Sequence, residues 1–219
     1  MKVIITGSTG MAGEGVLLEC LQNEKVITIL MVNRKPAEIS HPKLIELIVP
    51  DFLKVETFSK SLIGYDACFF CAGISSVGMN EEKYTVITYD TTMHFAKTLL
   101  TVNPQITFTY ITGAHTDSTE TGKVMWARVK GKTENDLMKL PFKAVYNFRP
   151  GGMLPVKGQK NAKMLYIVIV KIIVLFAPKV IISLNELGRA MINAVLFGYP
   201  KHVLEISDIK ILAQENHKS

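Results

Sequence analysis

The sequence predicts an α/β fold, a doubly wound parallel sheet with a small C-terminal cap region, and three observations predict it. Short runs of Val, Ile and Leu alternate with helix-period segments from Lys2 to Phe148. Such runs are nearly continuous in polarity, as in parallel strands covered on both faces. The first run, Val3-Ile4-Ile5-Thr6, leads straight into Gly7-Ser8-Thr9-Gly10-Met11-Ala12-Gly13. At 219 residues and 48% hydrophobic, the chain can bury the core of one such domain.

The elements follow in order. Lys2–Thr6 reads as the first strand and Met11–Leu21 as its helix, with Lys25–Val32 and Leu44–Val49 as the next two strands. A short helix near Val55–Leu62 precedes a fourth strand, Ala67–Cys71. Glu81–Leu100 reads as a long helix with Asn80 as its cap, and Ile106–Ile111 as the fifth strand. Gly122–Lys139 is expected to be helical up to Pro141, and Ala144–Phe148 to be the sixth strand. After Pro150 the pattern turns irregular: a Gly- and Lys-rich stretch 151–163, an apolar run, a segment Leu184–Phe197, and a short strand–helix tail to Gln214. The expectation is a single domain over 1–219, with residues 151–182 and 200–219 contributing the substrate-side cap.

The apolar run Met164–Phe176 is interrupted by Lys171 and ended by Pro178. At about 13 residues it is short of the roughly 20 that span a bilayer, so a buried or interface helix is expected, with a membrane-surface helix or substrate lid as alternatives. The formal charge of +6 is dispersed, with small clusters at 157–163 and at Arg128, Lys130 and Lys132. That suits an anionic small molecule; nucleic acid would call for a basic stripe with interleaved aromatics. Cys20, Cys68 and Cys71 form no disulfide-like framework, which suits a reducing cytoplasm. Cys68-Phe69-Phe70-Cys71 sits in a strand-like run, where residues three apart point to opposite faces, and buried cysteines are expected there in preference to a redox or metal site. No charged and apolar segments stand in signal-peptide order before the first strand.

The glycine spacing carries the first functional inference. Gly7 permits a tight turn, Gly10 lets a pyrophosphate approach the main chain, and Gly13 lets the helix pack close to the strand. The amides of Ser8, Thr9 and Met11 and the positive helix end then face phosphate. This is a Rossmann-type dinucleotide-binding turn. In such folds a carboxylate that ends the second strand binds the adenosine ribose. Here that place reads Asn33-Arg34-Lys35. Two cations suit a 2′-phosphate, which a guanidinium can grip bidentately, so NADP(H) is favoured over NAD(H).

With these residues the chain resembles the atypical short-chain dehydrogenases/reductases, including their Tat-interacting-protein-like and epimerase-like members. Asp51-Phe52 resembles the family's adenine-contacting acidic position, and Cys71-Ala72-Gly73 its loop beside the adenine ribose. Ile111-Thr112-Gly113-Ala114 matches the fifth-strand end that usually carries a serine. Arg149-Pro150-Gly151 matches the turn after the sixth strand, with Pro150 and Gly151 in cofactor-contacting positions. The segment Val129–Glu134 and the helix over Asn185–Asn193 are similar to the first-named subgroup. The resemblance implies hydride transfer at a nicotinamide ring, with a Tyr-x-x-x-Lys pair donating the proton, and a homodimer paired through the helices at Glu81–Leu100 and Gly122–Lys139.

Here that pair reads Trp126-Ala127-Arg128-Val129-Lys130. Lys130 is retained as the ribose-contacting and catalytic lysine, whereas an indole N–H at Trp126 cannot act as a general acid near neutral pH. Thr112 keeps a hydroxyl that could polarise a carbonyl. His115 follows the same loop, and an imidazole is a side chain suited to proton transfer, while Asp117, Thr119 and Thr121 crowd the loop as solvated polar residues. Tyr146 reads as structural, and Met11 and Met153 as pocket or packing residues. The expected activity is NADP(H)-dependent oxidation–reduction of a small or apolar carbonyl compound, or of an isomerisable substrate. The alternative is a non-catalytic NADP(H)-binding regulator or redox sensor, which the change at Trp126 favours.

Overall fold

A computed structural model of the chain describes residues 1–161 and 180–215. Its first half reads β1 (Lys2–Thr6), α1 (Met11–Gln22), β2 (Thr28–Asn33), β3 (Leu44–Ile48), a 3₁₀ segment Phe52–Leu62 and β4 (Ala67–Phe70). There follow α2 (Glu81–Thr85), a π-helical turn Val86–Asp90, α3 (Thr91–Val102), β5 (Thr107–Ile111), α4 (Met125–Met138) and β6 (Ala144–Phe148). The last described elements are β7 (Gly152–Leu154), β8 (Ile181–Ser183), α5 (Leu184–Phe197), β9 (Val203–Leu204) and α6 (Ile206–Gln214). Seven strands form one sheet in the order β3-β2-β1-β4-β5-β6-β9, every pair parallel. The order reverses between β1 and β4, the switch point of a Rossmann-type sheet.

Side chains alternate across the strands and fill two separate layers. Val3 and Ile5 join Val16, Leu17, Leu187 and Met191 beneath α1 and α5. Ile4 and Phe70 join Leu30, Phe95, Leu99 and Leu137 beneath α3 and α4. The central strands are buried on both faces, which is why their sequences show no polar alternation.

The departures from expectation have local causes. β2 begins at Thr28 because the Val26 amide turns back to the Asn23 carbonyl. The long helix is divided by the π-helical turn at Val86–Asp90, although Asn80 caps it as expected by accepting from the Lys83 amide. α4 begins at Met125, three residues late, because Asp117 holds the Gly122 amide and Arg128 holds the Gly122 carbonyl. Residues 200–215 join the sheet and its helical layer, and Glu205, Ile206 and Ser207 border a pocket at the end of the sheet. Val203–Leu204 is a two-residue strand beside β6, and α6 buries Ile209 and Leu212 in the layer that α5 occupies. Gly152–Leu154 and Ile181–Ser183 pair as a separate two-stranded sheet. The expected apolar helix at 164–176 lies outside the described residues. Among those described, no helix is long and apolar enough to cross a membrane.

Candidate functional site

Because the strands run parallel, the residues that follow β1, β2, β4, β5 and β6 all emerge along one edge. At β1, Gly7 adopts φ +67°, and a Cβ there would lie 2.6 Å from the Ala72 backbone. A Cβ on Gly13 would run into the Gly7 carbonyl, so the third glycine seats α1 against the turn. Between them, a Cβ on Gly10 would meet only the Gly7 carbonyl, at 3.3 Å, and Thr9 and Gly10 are exposed. No side chain caps α1, whose first-turn amides at Met11 and Ala12 have no carbonyl inside the helix to bond. The turn therefore presents free N–H groups with room above them.

The second strand ends beside it. Ser8 donates to Asn33 Oδ1 at 2.9 Å, while Asn33 Nδ2 is buried without a partner among the described residues. Arg34 and Lys35 are exposed and make no ion pair or hydrogen bond among the described residues. The loop after β4 crosses the turn: the Ala72 amide donates to Thr6 Oγ1 at 3.2 Å, Cys71 is half-buried and Gly73 stands clear. Asp51 is exposed and caps the 3₁₀ segment by accepting from the Leu53 amide. Phe52 departs from its expected role. Its ring is buried between Phe70 and Phe95, because the 3₁₀ segment turns it into the core. A glycine cradle, an uncapped helix end, an orphaned amide and two free cations fit a dinucleotide phosphate and a charged ribose.

At the other end of the edge lies a pocket of about 930 Å³ bordered by Thr112, His115, Trp126, Arg149, Pro150, Gly151 and Met153, and by the first turn of α6. Thr112 is not free to polarise a carbonyl. Its hydroxyl donates to Glu134 Oε1 at 2.6 Å, because α4 carries this fully buried carboxylate one turn beyond Lys130. Arg149 grips the same carboxylate through Nε and Nη2, and reaches Ser118 Oγ at 2.6 Å and Glu205 Oε1 at 3.2 Å. Lys130 Nζ donates to the Thr112 carbonyl at 2.8 Å. Burial lowers its pKa to about 8, with Glu134 opposing the shift. Trp126, one turn earlier, presents its ring to the pocket.

His115 stands exposed at the mouth with φ +68°, a backbone region rare for a non-glycine residue. Asp117 organises its own loop, and bonds led by the Thr119 hydroxyl hold its pKa down; Thr121 bonds Thr119 in the same loop. Tyr146 accepts from the Tyr199 amide, a structural contact. Met11 and Met153 are half-buried; Met153 borders the pocket, and the Met11 carbonyl accepts from Gln159. Cys68 and Cys71 face opposite layers. The pairing of Arg149 with both Glu134 and Glu205 is what sequence reasoning missed. The one available signal is spacing: Trp126, Lys130 and Glu134 recur every four residues and so share a helix face.

The sequence pattern of the NAD dependent epimerase/dehydratase family matches residues 3–118. Among curated relatives, Leucinostatins biosynthesis cluster protein T of Purpureocillium lilacinum is 28% identical over 144 residues, which are 64% of this chain and 52% of that protein. The chain thus spans about half the length of that relative. Protein FMP52, mitochondrial, of Debaryomyces hansenii is 26% identical over 165 residues, covering 74% of this chain and 70% of that protein. The solved UDP-glucuronic acid 4-epimerase of Bacillus cereus in complex with NAD superposes with a TM-score of 0.65 at 14% identity, covering 94% of this chain and 76% of that one. A short chain dehydrogenase/reductase of Saccharomyces cerevisiae does so with a TM-score of 0.67 at 14% identity, covering 97% and 98%. At such identities the likeness is one of fold.

Proposed function

The chain belongs to the NAD dependent epimerase/dehydratase family, and on that premise we propose that it is an NADP(H)-binding oxidoreductase-like protein of the short-chain dehydrogenase/reductase class, acting on a small or apolar carbonyl compound. One observation carries the cofactor choice. Among the described residues Arg34, Lys35 and the Asn33 amide have no partner, and they stand where a carboxylate would favour NAD(H). The residues that would hold the dinucleotide are the Gly7–Gly13 turn, Asn33, Arg34 and Lys35, the Ala72–Gly73 loop, Lys130, and Pro150 with Gly151. Bound there, the cofactor supplies hydride.

The protein's own groups position and polarise. Lys130 is held by the Thr112 carbonyl and has two further N–H groups for a ribose. Trp126 excludes water from its side of the pocket. His115 is the one titratable group at the mouth with no partner among the described residues, and so is the candidate to pass a proton. A homodimer through α3 and α4, and a cytoplasmic location, belong to the same proposal.

A second reading, a non-catalytic NADP(H)-binding regulator or redox sensor, is favoured by a specific pair of facts: the indole at Trp126 and the Thr112 hydroxyl already spent on Glu134. Oxidation of NADPH, followed by absorbance across a panel of carbonyl compounds, separates the two. Turnover that falls on His115→Ala supports the enzyme. Tight NADPH binding without turnover supports the sensor.

A further inference from the structure

The polar side chains around the pocket divide into two groups. Thr112 and Arg149 are spent: the hydroxyl goes to Glu134, and the guanidinium is shared among Glu134, Glu205 and Ser118. His115, Ser207 and the indole nitrogen of Trp126 have no partner among the described residues. The charges point the same way. Glu134 balances Arg149, and Glu205 adds a second carboxylate, 51% exposed, at the rim. The described lining therefore offers no unpaired cation. The remaining wall is the Trp126 ring with Pro150, Met153, Val180 and Ile206.

An anion entering here would shed its water, face Glu205 and meet no unpaired cation among the described lining residues, and these costs grow in low-dielectric surroundings. An uncharged molecule with an apolar body would bury that body on these walls. Its single acceptor atom would meet the indole N–H, which can only donate, or the imidazole of His115. Resting on the oxidoreductase reading above, we infer that this pocket selects uncharged, largely apolar carbonyl compounds over anionic ones of the same size, with His115 and Trp126 receiving the carbonyl oxygen. Trp126 thereby serves recognition at the helix position where the resembling enzymes keep a proton donor.

Trp126 is the chain's single tryptophan, so its emission reports the pocket directly. The full chain is titrated with 2-octanone, with octanoate, which has the same chain length and one added charge, and with UDP-glucose. Each titration is run without nucleotide and with saturating NADP⁺. The expected result is a saturable change with 2-octanone and binding of octanoate and UDP-glucose weaker by at least about tenfold, the scale on which one desolvated charge acts. His115→Ala weakens the ketone several-fold and leaves octanoate unchanged, and Glu205→Gln narrows the gap between the two. Octanoate or UDP-glucose binding as tightly as the ketone overturns the inference. So does the lack of a saturable ketone response in both conditions, a linear quench shared by free indole counting as no response. Calorimetry with NADP⁺ keeps the two proposals apart. Ketone selectivity without nucleotide binding overturns the oxidoreductase reading alone, and nucleotide binding with octanoate preferred overturns the pocket assignment alone.

Discussion

At the β1–β2 end of the sheet edge, Arg34 and Lys35 stand in solvent, and among the described residues Asn33 Nδ2 has no partner and no side chain caps α1. At the β5–β6 end, Thr112, Lys130 and Arg149 are all bonded within the fold. An unpartnered buried amide costs about 1–3 kcal/mol, a cost that a ligand bonding it removes. The first end is thus incomplete in the way a binding site is, and the second is closed in the way a structural joint is. Gripping a cofactor and donating a proton are therefore separable here, and perturbations at the two ends should have different signatures.

The largest expected effect is on stability at the closed end. Glu134→Ala leaves the Arg149 guanidinium buried without its main counter-charge, at a cost of about 3–5 kcal/mol, which chemical denaturation would measure. Thr112→Val removes one charge-assisted hydrogen bond of the same joint and should cost about 1.5–3 kcal/mol. Should Thr112→Val instead abolish turnover without loss of stability, the hydroxyl serves chemistry and the comparison fails.

A smaller effect concerns pH. Burial lowers the Lys130 pKa from the ordinary lysine value of 10.5 to about 8, so between those values the unfolded chain binds the extra proton and the folded one does not. Stability from this group therefore rises with pH across that window, and below about 8 its burial penalty is fully present. Lys130→Met should raise the melting temperature by a few degrees at neutral pH, and the gain should shrink as pH approaches 10. A gain that does not vary with pH would show that the ammonium carries no desolvation penalty.

The same contrast explains what was legible in the sequence. The glycine turn and the Arg34-Lys35 pair are local: a strand, a fixed spacing and a known offset specify them, so they read directly from residues. The joint of Glu134, Arg149 and Glu205 links α4, the end of β6 and the start of α6 across 15 and 56 positions, and the four-residue spacing of Trp126, Lys130 and Glu134 marks only its α4 member. The tail was legible in kind: a short strand and a helix were expected there, and Val203–Leu204 and α6 form them against the open edge of β6, although two residues are too few to fix the strand's bounds. Phe52 matched its family position by order, yet the geometry of the 3₁₀ segment decided where its ring went.

The central claim is that Arg34 makes the open end specific for a 2′-phosphate, independently of the closed end. A calorimetric titration of NADPH and NADH into the wild type, Arg34→Ala and Thr112→Val tests it most directly. The account predicts that NADPH binds the wild type at least about tenfold more tightly than NADH, in keeping with a charged bidentate contact. It further predicts that Arg34→Ala reduces NADPH to the NADH value, and that Thr112→Val leaves both affinities unchanged. Equal affinity for the two nucleotides in the wild type, or loss of NADPH binding in Thr112→Val alone, would contradict it.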